Sequence, residues 1–284
     1  MSCERGGSEQ AREYPPSPVA ADAAVVGIAA VDEALSVVTL KSETDAIEAN
    51  KALAGRKDVA PFLDELFASL YPALPEEDGM RASRNERLSK GYRSICLTYG
   101  EVSASGFLDI LTKIRDSHGG LPEADGVFYD LGCGTGKPVF AAAVTHPWER
   151  CVGVEILRDL HGICEKALER WDGGLKDLVA AEGGLTGEPA EIEFVCGDFT
   201  VFDWSDGDVV FANSTCFDDD LWKIVARKMA TLKEGAIVVT TTDPVPSPAF
   251  EVLEETEMLQ AGRSATTCFI QRRLPKAPPA FGPA

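Results

Sequence analysis

Histidine is scarce in this chain and its cysteines are scattered. The three histidines, His118, His146 and His161, form no HExxH pair, and no GxSxG elbow occurs. Those absences exclude the common zinc-protease and serine-hydrolase signatures. Each histidine is expected as a surface or loop residue. Eight cysteines stand singly, at Cys3, Cys96, Cys133, Cys151, Cys164, Cys196, Cys216 and Cys268. Without a CxxC spacing they build neither a zinc cage nor a disulfide framework, so no metal site is expected and the thiols read as reduced fillers of small apolar spaces.

Long hydrophobic runs are also missing. None approaches the roughly 18 residues that a membrane span requires. The stretch VAADAAVVGIAAV is broken by Asp22 and follows no basic leader, so a soluble, intracellular protein is expected. Positive charge is in short supply, with 27 Lys and Arg against 46 Asp and Glu and a net charge of −19. Grip on nucleic-acid phosphates comes from Lys and Arg, so no strong intrinsic DNA-binding region is expected. The acidic balance suits a basic partner or serves solubility.

Four segments follow from the patterning. Residues 1–18 are polar and aperiodic and read as disordered. Residues 19–97 read as a helical N-terminal lobe. In it Ser42 and Asp45 form a capping-box-like start before Ile47, Ala49 and Leu53, and Phe62, Leu63, Leu66, Phe67, Leu70 and Tyr71 form an apolar stripe ended by Pro72 and Pro75. Residues 98–275 alternate strands and helices, the pattern of a parallel sheet covered on both faces, and 276–284 form a Pro-rich tail. Strands are predicted at 127–131, 151–156, 192–197, 208–213 and 235–242, and a helix at 159–171. Asp218 is predicted to cap another helix, and FEVLEETEML and ATTCFIQRRL are read as an antiparallel pair around a turn at Gly262.

What is present in quantity is glycine, and three residues of it fall at alternate positions in FYDLGCGTGKPVF, residues 128–140. After a strand come Asp130, Gly132, Gly134 and Gly136, then Lys137 and Pro138 opening a helix. A phosphate-cradling P-loop fails because Lys137 precedes proline, and a dinucleotide fingerprint fails because lysine stands where a small residue is needed for close helix packing. Charge separates the remaining ligands. An aspartate beside the loop repels a pyrophosphate and favours a ligand carrying an amino group and a sulfonium, as S-adenosyl-L-methionine does. Glu155, at the end of the second strand, can accept both hydrogen bonds of a ribose diol. Asp198 and Phe199, after the third strand, are placed to meet the adenine amine and ring. Lys137 is expected as a solvated helix-start residue, and Cys133 and Cys216 as small fillers.

DLGCGTG, followed in order by Glu155 and Asp198, resembles motif I of the class I S-adenosylmethionine-dependent methyltransferases over about residues 126–275. That resemblance implies a Rossmann-like seven-stranded α/β sheet, mostly parallel, with its last strand pair antiparallel. Upstream, TYGEVSASGFLDIL at 98–111, together with GVE at 153–155, GDF at 197–199 and FANSTCF at 211–217, resembles the Dot-one (disruptor of telomeric silencing) family. These are non-SET histone-lysine N-methyltransferases that modify a lysine on the folded core of histone H3.

The resemblance implies roles residue by residue. Tyr99, Gly100 and Glu101 match the loop around the methionine end of the cofactor, Glu155 the ribose ligand, and Asp198 with Phe199 the adenine contacts. Asn213 and Phe217 match the wall of the lysine channel, so Asn213, Phe217 and Tyr99 are expected at the point of transfer. The sequence departs from the family at Val102, where Thr or Ser is usual, and at Thr215, which replaces an aromatic. The family implies histone H3 or a nucleosome as partner and the nucleus as location, although no Lys/Arg run reads as an import signal. Another basic protein substrate, a small-molecule acceptor or an inactive cofactor-binding platform are the alternatives.

Arg81, Arg84, Arg87, Lys90 and Arg93 recur every third residue in RASRNERLSKGYR. At about 60° of drift per step they spiral around a helix instead of lining one face. They read as a solvated surface helix or as a docking surface for nucleosomal DNA or an acidic patch.

Overall fold

Alternation of side-chain direction along each strand, a period of two residues, sorts this fold into two buried layers. The computed structural model describes residues 59–72, 76–122, 125–181, 189–261 and 264–275. Seven strands run β1 (Gly126–Leu131), β2 (Trp148–Glu155), β3 (Glu191–Cys196), β4 (Val209–Ala212), β5 (Ile237–Thr241), β6 (Phe250–Leu259) and β7 (Ala265–Arg273). The helices are α1 (Val59–Leu70), α2 (Glu76–Lys90), α3 (Ala104–His118), α4 (Lys137–Thr145), α5 (Arg158–Arg170), α6 (Lys176–Ala181) and α7 (Asp219–Met229). The strands form one sheet in the order β3-β2-β1-β4-β5-β7-β6. The first five are parallel, and β7 is antiparallel to both β5 and β6. This is the seven-stranded class I architecture expected from the sequence.

Phe128, Cys151, Val209, Phe211, Ile237 and Val239 face a core shared with α1, α3, α4 and α5. Val127, Tyr129, Val152, Val154, Val210 and Val238 face the opposite core with Trp222, Val225 and Met229 of α7. Central strands buried on both faces explain their unbroken apolar runs, and each large side chain so buried contributes about 1.5–3 kcal/mol. The strand order turns around at β1 and β4. A ligand crevice belongs outside the carboxyl ends of the strands at such a switch point.

Local chemistry fixes the helix ends. The Asp218 carboxylate accepts from the Leu221 N–H at 2.9 Å, capping α7 as expected. α1 stops at Leu70 before Pro72, and the Leu70 carbonyl left over at the helix end accepts from Arg170 Nη1 at 3.0 Å.

Several boundaries differ from the sequence reading. β2 begins at Trp148, three residues before the expected Cys151, because the buried Trp148 ring packs 5.8 Å from Phe128 and anchors the extra residues. α5 ends at Arg170 and the chain continues through a wide turn, Trp171–Leu175, that uses Gly174 at φ 131° before α6. The basic spiral is shorter than expected: α2 ends at Lys90 and Gly91 turns the chain at φ 66°, which puts Arg93 off the helix. Arg81 pairs with Asp78 and Lys90 with Glu86, both within the helix.

His161 is a correction, since it lies inside α5 and is buried rather than in a loop. Among the thiols, Cys133, Cys151, Cys164 and Cys268 are buried as expected, whereas Cys196 is exposed on the edge strand β3. The expectations for residues 1–18, Ser42 and Asp45, Gly262 and residues 276–284 lie outside the described residues. Among the described residues no helix is long and apolar enough to cross a membrane, and no cluster of His, Cys, Asp and Glu could hold a metal ion.

Candidate active site

β1 delivers Asp130 and the glycine loop to the carboxyl edge of the sheet. Gly132, Gly134 and Gly136 all take positive φ, at 79°, 59° and 85°. Two of them are also sterically fixed. A Cβ on Gly134 would stand 2.3 Å from the Tyr99 ring, and one on Gly136 would stand 2.6 Å from the Phe194 ring. The Gly134 N–H donates to Glu155 Oε2 at 2.9 Å, and the Leu157 N–H donates to Oε1 at 2.8 Å. Glu155, 6% exposed at the end of β2, therefore clamps the glycine loop while its carboxylate keeps some acceptor capacity.

Beside this edge lies a cavity of about 540 Å³. Tyr99, Gly100, Glu101, Gly132, Glu155, Phe199, Asn213 and Phe217 all line it. A smaller recess of about 20 Å³ adjoins it and is lined by Asp130 and Lys137. Gly134, Gly136 and Asp198 line neither. The two glycines shape the loop from behind, and the Asp198 carboxylate accepts from the Thr200 N–H at 2.7 Å.

Phe199 and Phe217 stack at 5.8 Å, and Trp222 of α7 meets Phe217 edge-on at 5.4 Å, which makes one aromatic wall. Asn213, just past β4, donates to the Gly100 carbonyl at 3.1 Å and accepts from the Thr241 hydroxyl at 3.0 Å. It thus ties the YGE loop to the ends of β4 and β5 while facing the cavity. Thr215 Oγ1 joins the same cluster, 3.2 Å from Asn213 Oδ1 and 3.0 Å from Thr241 Oγ1.

The electrostatics are dominated by buried carboxyl groups. Burial, reinforced by the charge of Glu155, pushes Asp130 well above the usual carboxylate range. Its Oδ2 has no partner, although the residue is only 2% exposed. Burial also raises Glu155, against the pull of the N–H bonds from Leu157, Gly134 and Ile156. Tyr99 is raised well above its usual value by burial and by Glu101, so it stays a hydrogen-bond donor, and its hydroxyl lies 2.6 Å from Glu101 Oε2. Lys137 is not the solvated residue expected from the sequence. Its ammonium is ion-paired with Glu101 and sits 5.5 Å from the centre of the Tyr71 ring.

Two parts of the cavity were missed in the sequence. Met80, Cys96 and Leu97 line it from α2 and the short turn after it, and Gln260, Ala261, Ser264 and Thr266 line it from the β6–β7 turn. That turn is fastened to the YGE loop, with the Ala261 N–H on the Glu101 carbonyl at 2.7 Å and a bridge between Val102 and Gln260. Val102 is buried there, which accounts for an apolar residue where the family favours a hydroxyl. A usable signal was the antiparallel pairing itself. A strand antiparallel to β5, followed back into β6, puts their hairpin turn at the same end of the sheet as the glycine loop.

The donor set suits S-adenosyl-L-methionine on grounds internal to the structure. An unpartnered buried carboxylate oxygen calls for a donor or a cation, and the remaining acceptor capacity of Glu155 suits a diol hydroxyl. The sheet order, glycine loop and acidic crevice together define the class, an S-adenosylmethionine-dependent methyltransferase domain of class I. The chain belongs to the DOT1 family: the sequence model described as "Histone methylation protein DOT1" matches residues 82–261. A curated relative is "Histone-lysine N-methyltransferase, H3 lysine-79 specific" of Dictyostelium discoideum, 29% identical over 211 residues, which cover 66% of this chain and 11% of the relative. The chain thus matches about a tenth of that protein's length. Among solved structures, magnesium protoporphyrin IX methyltransferase of Synechocystis PCC 6803 is 9% identical, with 77% of this chain and 99% of that chain covered and a TM-score of 0.44.

Proposed function

We propose that this chain is an S-adenosylmethionine-dependent protein-lysine N-methyltransferase that acts on a lysine of the folded core of histone H3. The observation carrying the donor half is the buried Asp130 with its unpartnered oxygen beside Glu155 on the glycine loop. Membership of the DOT1 family carries the acceptor half. The relative's name specifies a lysine of histone H3, and we extend that class of acceptor to this chain. Action on chromatin in the nucleus follows from the same reading.

Glu155 would hold the ribose, Phe199 the adenine face, and Asp130 with the loop Tyr99, Gly100 and Glu101 the amino-acid end. Bound there, the donor supplies an activated sulfonium methyl. The protein's part is alignment of the acceptor's lone pair and exclusion of water, which can lower a barrier by several kcal/mol. A lysine must arrive neutral. With a free pKa near 10.4, losing its proton at pH 7 costs about 4.6 kcal/mol in water, and apolar walls next to a cationic donor lower that cost by disfavouring the ammonium. No general base is required on this reading. Phe217 encloses the amine, and the Asn213 side-chain oxygen orients it.

One observation favours a second acceptor class. The cavity lining includes Thr215, Ser264 and Thr266, small hydroxyl residues where the family resemblance implies an apolar channel, and such a lining suits a non-histone protein or a small polar molecule as well. Labelled S-adenosylmethionine offered with nucleosomes, free core histones and a small-molecule extract separates the readings. Label in H3 supports the histone assignment. Label only in another fraction removes it, and donor binding without transfer to any fraction reduces the protein to a cofactor-binding platform.

A further inference from the structure

α2 packs on the rest of the fold without an apolar anchor. Its buried positions, among the described side chains, are Gly79, Ser83 and Glu86, while Met80 and Leu88 are exposed. Polar bonds hold it instead. The Ser83 hydroxyl donates to the Leu97 carbonyl at 3.3 Å, and Arg87 Nη1 donates to the Thr98 hydroxyl at 3.2 Å. Glu86 is the member that packing alone does not explain: a carboxylate only 3% exposed, which is costly unless it is hydrogen-bonded.

Its main partner lies 73 residues away, where the Asp159 N–H donates to Glu86 Oε2 at 2.8 Å. Lys90 Nζ donates to Oε1. Burial pushes the Glu86 carboxyl up, but the Asp159 N–H, the Lys90 ammonium and the Arg158 N–H outweigh it and hold the group below its usual range. Arg158 and Asp159 open α5, and the N-cap residue of that helix, Leu157, makes no side-chain cap bond. Glu86 therefore caps α5 from another helix. The two preceding N–H groups, of Ile156 and Leu157, are taken by Glu155. Consecutive donors of one turn are thus divided between two carboxylates, and Glu86 keeps the second pair away from Glu155.

We propose that Glu86 is a positioning residue for the donor's ribose: by taking the N–H groups of Arg158 and Asp159, it leaves the Glu155 carboxylate free to meet the diol. The inference rests on the diol assignment of Glu155 above and adds to it a residue from outside the glycine loop and the strand ends. Without Glu86, the first turn of α5 has two uncapped N–H groups next along the chain from the pair that Glu155 already holds. A helix N-terminus attracts negative charge, so those donors compete with the ligand for the same carboxylate. The contact also ties α2, whose Met80 lines the cavity, to the chain segment that follows Glu155.

The test is calorimetric binding to the full chain, with S-adenosylhomocysteine and its 2′-deoxyadenosyl counterpart titrated into the wild type, Glu86→Ala, Glu86→Met and Glu86→Gln. One charge-assisted hydrogen bond from the 2′-hydroxyl corresponds to about a tenfold to hundredfold preference of the wild type for the ribose ligand. That preference should shrink to about threefold or less in Glu86→Ala and Glu86→Met. Glu86→Gln keeps an acceptor oxygen for the Asp159 N–H and should retain most of it. A Glu86 that serves only the fold would weaken both ligands alike and leave the ratio unchanged in the two variants without an acceptor, which would overturn the proposal. Loss of the preference in Glu86→Gln as complete as in Glu86→Met would also contradict it, because the N–H bonds carry the claim. A wild type that binds both ligands equally is a different result: it removes the diol assignment of Glu155, and this inference with it. Two variants without an acceptor guard against one failing to fold, because the ratio is taken within each protein.

Discussion

At the scale of single residues, Glu155 has two tasks that substitution should expose together. Replacing it with alanine removes the acceptor of the Gly134 and Leu157 N–H groups as well as the proposed diol ligand. Donor affinity should fall by roughly 1.5–3 kcal/mol for each strong hydrogen bond lost, and thermal melting of the free protein should fall too. Calorimetry with unchanged affinity would take Glu155 out of the site. Asp130 gives a pH signature whose sign is fixed by its environment. Burial raises it, so folding takes up a proton above the ordinary carboxylate range, and stability of the free protein should fall as pH rises through that window. A cationic donor favours the ionised form, so binding should release protons and tighten as pH rises. Titration in two buffers of different ionisation enthalpy measures the release, and proton uptake on binding would contradict it. None of this is written in the motif, which shows that an acid precedes the glycines but not that one oxygen is left without a partner.

At the scale of elements, the glycine loop and the helix caps carry the predictions. Gly134→Ala must place a methyl against Tyr99 at a φ of 59°, and should cost about 1–3 kcal/mol of stability together with donor binding. Denaturant unfolding shows the first and calorimetry the second; a variant as stable as the wild type would mean the loop does not need that geometry. Asp218→Ala removes the α7 cap and should cost about 0.5–2 kcal/mol by the same measurement, while Phe217 and Trp222 loosen beside the cavity. The elements themselves were largely legible. Apolar runs, the Asp218 cap and the antiparallel last pair could be read from residue order, because period and capping are local properties. The start of β2 was hidden by Glu149 and Arg150, charged residues at a strand end that is held by the Trp148 ring. Lys137 was misread for a similar reason: what buries it is Tyr71 and Glu101, contributed by segments 66 and 36 residues away.

At the scale of the whole molecule, the cavity is assembled from three groups of residues: α2 with its following turn, the YGE loop with the loops at the ends of β1 to β4, and the β6–β7 hairpin. Sequence order identifies the middle one because its residues recur in a fixed succession. The outer two depend on how the sheet order brings chain ends together, so Gln260 and Met80 escaped notice while Glu155 did not. The Thr215 position marks where this chain leaves its family. A polar cluster of Asn213, Thr215 and Thr241 stands where the family has an aromatic at position 215, and the identity of the acceptor turns on it. The most direct measurement is mass-spectrometric mapping of methyl groups on intact nucleosomes after incubation with the protein and isotopically labelled S-adenosylmethionine. The account predicts label on a lysine side chain in the folded core of histone H3, lost when Glu155 is alanine. Nucleosomes that remain unlabelled on H3, under conditions where the protein binds the donor, would contradict it.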